Sequence, residues 1–446
     1  MNFRKTGQNR SQCFLPRFWA APLAETLAAA PGFDAGVTSA PELDEQGQGR
    51  SVHLWQLDIL RLLTFAAVLL VHSVAFTEDP ANPFAAGVMM VLEFGREVFF
   101  ALTGFVLVYS CLGRKKVRAR SFWPKRFLYV GVPYLAWSVI YYAFTFVSGP
   151  HPPFAWSDLG LGLIEGTTEY HLYFLLVSMQ LYLVFPLLVR FVRATAHRAF
   201  LVLGVVGVLN AAWLGCLHWL IPSGWIGFFW THGYELLPTY AIYVLAGCYA
   251  ALHFDKLLGL LRSHRRRLLL WALGGLVLSE VVYVVQTIWM APRDAADPLQ
   301  PVMLVCAASV AVLLLLVGDA WSLGARRGLG AIRRGSEISF GVYLLHPVVL
   351  TLVCNAGLGN PVRTMPAPVA TALAVVGVAL GALAACLIVR RTPLALPLIG
   401  RAWVRGRERV HQLPRRVGTW TTPGTLVGVG AGPGEPARSL HVSRTS

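Results

Sequence analysis

The sequence predicts an all-α fold: a polytopic membrane helical bundle of about ten transmembrane helices with both termini in the cytoplasm. Of the 446 residues, 56% are hydrophobic and only 13% are charged, and the mean hydropathy is +0.58. These values lie well outside those of water-soluble domains. Apolar stretches with the length of a bilayer span recur along the chain, although the eighth and ninth are short. They lie near 57–76, 87–112, 128–147, 172–192, 200–221, 236–253, 268–290, 302–317, 338–353 and 369–389.

The basic residues of the connecting loops predict the orientation. One alternate set of loops carries most of the Lys and Arg residues, whereas the other set has almost none beyond Arg293 and Arg363. Because Lys and Arg collect on the cytoplasmic side, both termini are predicted to face the cytoplasm, with the chain in the cell membrane. The net charge of +16 then indicates contact with the anionic headgroups of the lipid bilayer rather than with nucleic acid.

Composition divides the chain into three parts. Residues 1–53 are mixed in character and predict a disordered cytoplasmic extension, residues 54–391 form the transmembrane domain, and residues 392–446 predict a disordered basic cytoplasmic tail. The seven cysteines are scattered without a CxxC or Cys/His cluster. Neither a disulfide framework nor a metal site is therefore expected.

Arg61 and His72 are the first residues that could carry chemistry. They lie eleven positions apart on the first apolar segment, so a helix places both on one face, roughly 16 Å apart in depth. Such residues are costly in a membrane and are functional candidates. Asp58 can pair with Arg61 at a spacing of three, and this pairing would account for both charged residues without a functional role. His72 fits either a general base or a hydrogen-bonded packing residue.

A second polar cluster follows on the second segment. Arg96 can neutralise Glu93 within the cluster, and Glu97 can orient or charge a base on the neighbouring first helix. Thr103 precedes Gly104, and the small residue permits close approach of either another helix or a thin ligand chain.

Three further features complete the candidates. The basic loop at 113–133 contains Lys125 and Arg126 among aromatic residues, which fits either membrane topology or a phosphorylated, adenine-containing donor. Glu280 lies well inside an apolar segment. His346 precedes Pro347 and could cap the kink that proline produces. His171 stands at the entrance of the fourth segment.

The order of these clusters resembles the acyltransferase 3 family of integral membrane O-acyltransferases. Five segments carry the resemblance, in the family's order: LDILRLLTFAAVLLVHS with Arg61 and His72, EVFFALTGFVL with Glu97, FWPKRFLYVGVPYL with Arg126, HLYFLLVSMQLYLVFPLL, and ISFGVYLLHPVV with His346. The chain departs from the family's pattern at Thr103, where Ser is usual, and at Tyr129, where many members have a second Arg.

The resemblance implies an O-acyltransferase. Such an enzyme moves an acyl group, expected to be acetyl, from cytoplasmic acyl-CoA to a hydroxyl of a surface polysaccharide sugar or of a glycosylated small molecule such as a macrolide. It implies that His72 deprotonates the acceptor and that Glu97 assists it. Arg61 would polarise the carbonyl or attract phosphate, and Arg126 and Lys125 would hold the donor together with it. Supporting roles fall to Glu280, His346, Thr103 and Asp58, and no metal is implied.

Two other function classes stay open. His72, Glu97, Glu280 and His346 could form the relay of a proton-coupled transporter or exporter. The absence of an internal repeat and of paired interrupted helices weighs against that class. A catalytically inactive scaffold in a surface-glycan assembly complex is the third possibility.

Overall fold

A computed structural model describes residues 54–401, apart from 80, 115, 149–152, 221, 325–327 and 357–364. The predicted extension at 1–53 and residues 402–446 of the predicted tail lie outside the described residues. The first part of that tail is described and contains a short helix, Ala395–Ile399, where disorder was predicted. Within those described, regular secondary structure is entirely helical, which confirms the predicted all-α class.

The helices are numbered here in chain order. They are α1 Trp55–Thr77, α2 Pro83–Leu92, α3 Phe94–Tyr109, α4 Ala119–Ser148, α5 Trp156–Glu165, α6 Tyr173–Ala194, α7 Ala199–Trp219, α8 Gly224–Thr231, α9 Ala241–Leu252, α10 Phe254–Ser263, α11 Arg265–Gln286, α12 Pro292–Ala295, α13 Val302–Leu323, α14 Leu329–Thr351, α15 Ala367–Val389 and α16 Ala395–Ile399. Short 3-10 turns occupy Ala196–Arg198, Gly233–Glu235 and Leu237–Tyr240, and a π-helical turn at Leu352–Ala356 follows α14.

Over the residues that it describes, the structure has eight or nine candidate spans, where the sequence predicted about ten. In the described part of the chain, eight helices are long and apolar enough to cross a membrane, or nine if the pair Leu237–Leu252 and Phe254–Ser263, bent by 92°, counts as one span. The predicted span at 87–112 is missing from both counts, because it is divided between α2 and α3 at Glu93, and the predicted span at 236–253 is missing from the lower count. Its helices have 10 and 16 residues, and each is too short to cross the hydrocarbon core alone.

The start of α2 explains why a separate helix forms there. The side-chain oxygen of Asn82 accepts hydrogen bonds from the backbone N–H groups of Phe84, at 3.0 Å, and Ala85, at 3.4 Å. Pro83 occupies the first turn, where its missing N–H costs nothing. The break after this short helix brings the charged residues Glu93, Arg96 and Glu97 into the bundle.

Close packing of α3 against α9 accounts for Gly104. A Cβ atom at Gly104 would overlap the backbone oxygen of Val244, and a Cβ at Gly247 would overlap that of Ala101. Each glycine therefore lets the other helix's backbone approach. Of the two explanations that the sequence left open, the structure supports helix packing.

Helix α1 is central to the bundle, since it packs against α3, α13, α14 and α15. The end of the described chain folds back onto α4, where the indole N–H of Trp137 donates to the backbone oxygen of Leu398 at 2.9 Å. Gly400 then adopts a left-handed conformation, with φ of 62°, against the ring of Phe340 and the backbone oxygen of Tyr129. This turn brings Arg401 back to the bundle.

Candidate functional site

Two cavities meet inside the bundle at His72. The first has a volume of about 600 Å³ and the second of about 650 Å³. The two cavities have six lining residues in common: Val71, His72, Glu93, Arg96, Tyr170 and Tyr173. A molecule in either cavity can therefore reach His72.

The first cavity runs along one face of α1. Arg61 and His72 both line it, which confirms that the two residues share a helix face. Arg61 donates to the hydroxyl of Ser336 at 3.3 Å, and that hydroxyl donates to a carboxylate oxygen of Asp58 at 2.9 Å. Ser336 of α14 therefore links Arg61 to Asp58, the residue that the sequence predicted as its partner.

Arg401 lines the first cavity near Arg61. Its guanidinium donates to the backbone oxygen of Glu337, while the carboxylate of Glu337 accepts from Arg333 at 3.1 Å. Burial lowers the pKa of Arg401, with Glu337 acting in the opposite direction. Two guanidinium groups thus lie at one part of this cavity, an arrangement that favours an anionic ligand.

The imidazole of His72 is held by two rings. Its centroid lies 4.6 Å from that of Tyr170 and 5.2 Å from that of His346, which stacks on it at 27°. Among the residues that the structure describes, His72 has ring contacts but no hydrogen-bond partner. Its nitrogens are therefore available to a substrate hydroxyl, as a general base requires.

His346 has the local role that its neighbour Pro347 predicts. Its Nδ1 lies 2.6 Å from the backbone oxygen of Tyr343, the carbonyl that proline leaves without a helical N–H four residues later. Since a carbonyl can only accept, Nδ1 carries the hydrogen. His346 is fully buried and lines neither cavity, so it contacts His72 from within the protein.

Glu97 is held by Arg96. Its Oε1 accepts from the Nε of Arg96 at 3.0 Å, and the same guanidinium lies 3.4 Å from the hydroxyl of Tyr173 and 4.0 Å from a carboxylate oxygen of Glu93. None of these contacts of Glu97 reaches His72. The assistance of Glu97 to His72 stays a prediction.

The predicted donor-binding residues on α4 lie beside the first cavity rather than in it. The guanidinium of Arg126 lies over the rings of Phe122, at 5.5 Å, and Tyr182, at 5.9 Å, and Tyr182 lines the cavity. Lys125 is exposed. Neither basic side chain lines either cavity.

Thr103 and Glu280 have different positions. Thr103 lines the first cavity, with its hydroxyl donating to the backbone oxygen of Phe99 at 2.8 Å. Glu280 lies on α11 against Gly87 of α2 and lines neither cavity. Of the four residues that a proton relay would use, His72 lines both of these cavities and the other three line neither.

The second cavity is rich in carboxyl groups. One of them, Asp297, accepts hydrogen bonds from the backbone N–H of Leu299 at 2.8 Å and from the hydroxyl of Tyr234 at 3.2 Å. The acidic lining residues are Glu78, Asp79, Glu93, Glu235, Asp294 and Asp297, and the basic ones are Arg96 and Arg293.

Several lining residues were not among the sequence candidates. Tyr170 and Tyr173 had no signal beyond the aromatic character of a membrane interface, and Arg401 resembled the rest of a basic tail. His171 was noticed at the start of a span but received no role. In the described ranges, no group of three or more His, Cys, Asp or Glu residues is arranged to hold a metal ion, even though three histidine rings are neighbours here.

Comparison with known families gives one match. The model of the acyltransferase 3 family, described as an acyltransferase domain, matches residues 54–391. Comparisons with curated proteins and with solved structures find no match.

Proposed function

From the premise that this chain belongs to the acyltransferase 3 family and is a membrane acyltransferase, we propose that it transfers an acetyl group from cytoplasmic acyl-CoA to a hydroxyl of a sugar. The sugar belongs to a surface polysaccharide or to a glycosylated small molecule such as a macrolide. One observation carries this proposal: two cavities of substrate size meet at a histidine that has no hydrogen-bond partner among the described residues.

The first cavity is the donor site in this proposal. Arg61 and Arg401 line it together, and guanidinium groups bind phosphate oxygens by charge-assisted hydrogen bonds. His72 lies about three helical turns from Arg61, roughly 16 Å along α1, a distance that the pantetheine arm of the donor can bridge. Arg126 and Lys125 assist from the edge of this site by attracting the nucleotide end.

The second cavity is the acceptor site. The acceptor hydroxyl meets His72 from this side, and the imidazole removes its proton as the oxygen attacks the thioester carbon. The carbon–sulfur bond then breaks, and the departing thiolate takes the proton from His72. The imidazole returns to its neutral form, and the products are an ester and a free thiol.

The test is acetyl transfer from radiolabelled acetyl-CoA in membranes that carry the wild type, His72→Ala or Arg61→Ala. Exposed residues outside both cavities provide matched controls, His197→Ala and Arg198→Ala. We expect His72→Ala to abolish transfer, Arg61→Ala to weaken donor use, and the controls to resemble the wild type. Equal labelling of the acceptor by all five preparations would overturn the proposal.

The acceptor class is tested in the same membranes. A surface glycan fraction and a panel of glycosylated small molecules are supplied separately, and the labelled product is identified by mass spectrometry. Labelling of a sugar hydroxyl in either set supports O-acyl transfer to that set. Export of the unmodified panel without acyl transfer would instead support the transporter class.

A further inference from the structure

His171 is a buried polar residue whose side chain the fold leaves unsatisfied. It is 3% exposed, and neither ring nitrogen has a hydrogen-bond partner among the residues described. Buried polar groups in proteins are nearly always paired, because an unmade hydrogen bond costs the full desolvation of the group. His171 also lines the first cavity, so a molecule bound there lies next to this unpaired ring.

The surrounding rings hold the imidazole without pairing it. Its centroid lies 5.0 Å from that of Tyr343 and 5.3 Å from that of Tyr141, both in edge-to-face geometry. Their hydroxyl hydrogens are used elsewhere, since Tyr343 donates to the backbone oxygen of His171 and Tyr141 donates to that of Leu344. The ring is therefore oriented by aromatic contacts, and neither tyrosine hydroxyl pairs with its nitrogens.

The position of His171 relates it to His72. Both imidazoles lie 5.2 Å from His346, and both contact Tyr170, at 4.6 Å from His72 and 5.6 Å from His171. A group that touches His72 in the first cavity is therefore close to His171 as well. In the proposed reaction, the group at that point is the thioester of the donor.

We propose that His171 is a further catalytic residue, which donates a ring N–H to the carbonyl oxygen of the thioester while that oxygen carries negative charge. This inference rests on the proposed function. A neutral imidazole has one such donor, and a donor fixed in a water-excluded site stabilises a developing oxyanion without reorganisation. The hydroxyl proton still passes to His72, and the N–H of His171 stays on its own nitrogen throughout.

Three variants separate this role from a structural one. His171→Phe retains a ring but has no donor, whereas His171→Asn and His171→Gln retain an N–H. We expect His171→Phe to reduce kcat by about 100- to 1,000-fold, the usual cost of losing one oxyanion donor, with a much smaller change in KM for acetyl-CoA. Asn or Gln should recover at least part of this loss. If the Phe variant does not fold, His171→Met takes its place.

A binding measurement tests the same contact without turnover. Two unreactive analogues of acetyl-CoA are compared, a ketone that retains the carbonyl and a thioether that lacks it. The wild type should bind the ketone more tightly than the thioether, and His171→Phe should lose this preference. An undiminished preference in the variant, or wild-type kcat, would overturn the inference. His72→Ala is assayed in parallel, because normal transfer by that variant would refute the proposed function itself.

Discussion

The two cavities that meet at His72 differ in charge although they share six lining residues. Among the described residues, the first is lined by three arginines and two glutamates, and the second by six carboxyl groups and two arginines. A phosphate-rich molecule is therefore favoured in the first and repelled by the second. Under the proposed function, this difference in charge separates donor from acceptor, and His72 is the point at which both react.

The largest expected effect is the loss of kcat on substitution of His72, where the two cavities meet. His72→Gln retains a polar side chain but cannot act as a base, so we expect kcat to fall by about 10²- to 10⁴-fold with both cavities still able to bind. Steady-state kinetics with labelled acetyl-CoA measures this loss, and His197→Gln is the control. Retention of wild-type kcat by His72→Gln would mean that the two cavities do not share a catalytic group.

A charge reversal in each cavity tests the difference between them. Arg401→Glu should raise KM for acetyl-CoA roughly tenfold, because one charge-assisted contact to phosphate becomes repulsive. Asp294→Arg, an exposed residue of the second cavity, should leave that KM unchanged. Donor titrations at two salt concentrations measure both effects. Equal responses from the two variants would show that the charge difference does not direct the donor.

Packing beside the first cavity is tested at the contact between α3 and α9. A methyl group at Gly247 overlaps the backbone oxygen of Ala101, so Gly247→Ala should lower the free energy of unfolding by about 1–3 kcal/mol. Thr103, on the same part of α3, lines the first cavity but not the second. The Gly247→Ala variant should therefore lose more affinity for the donor than for the acceptor. Thermal unfolding in detergent measures stability. Gly274→Ala, with open space around it, is the control.

The smallest expected effect is on the pH dependence of stability, and it arises in the turn that contains Tyr170 and His171. Burial raises the pKa of the neighbouring Glu169 carboxyl from 4.5 to about 7. The folded protein therefore binds more protons than the unfolded chain, and its stability falls as the pH rises through that interval. Glu169→Gln lacks this titration, so its melting temperature relative to the wild type should increase between about pH 5 and pH 7. A difference that is constant with pH would contradict the buried position of Glu169.

Residue spacing accounts for what could be predicted of the site. Eleven positions on a helix return to the same face, which is why Arg61 and His72 line one cavity. The contact of His346 with the carbonyl of Tyr343 likewise follows from a local rule, because proline frees a carbonyl four residues earlier. The resemblance of five ordered segments predicted the family that the match over 54–391 then established.

Other predictions depended on partners that spacing does not reveal. Glu97 was expected to act on His72, yet its carboxylate accepts a hydrogen bond from Arg96, the adjacent residue of its own helix. The division of the second span at Glu93 also escaped prediction, since its apolar stretch has the length of an ordinary span. The partner of a charged side chain and the position of a helix break both depend on the neighbouring helices of the bundle.

The sequence by itself determined the all-helical membrane class, the positions of most apolar helices, the family and the shared face of Arg61 and His72. Composition, the local period of a helix and the order of the five segments were sufficient for these. Only the tertiary structure decided that Tyr170, His171 and Arg401 line the same cavity as Arg61 and His72. Tyr170 and His171 are neighbours in the chain but lie far from Arg61, His72 and Arg401. Their meeting arises from how the helices pack and where the turns return, which no local pattern records.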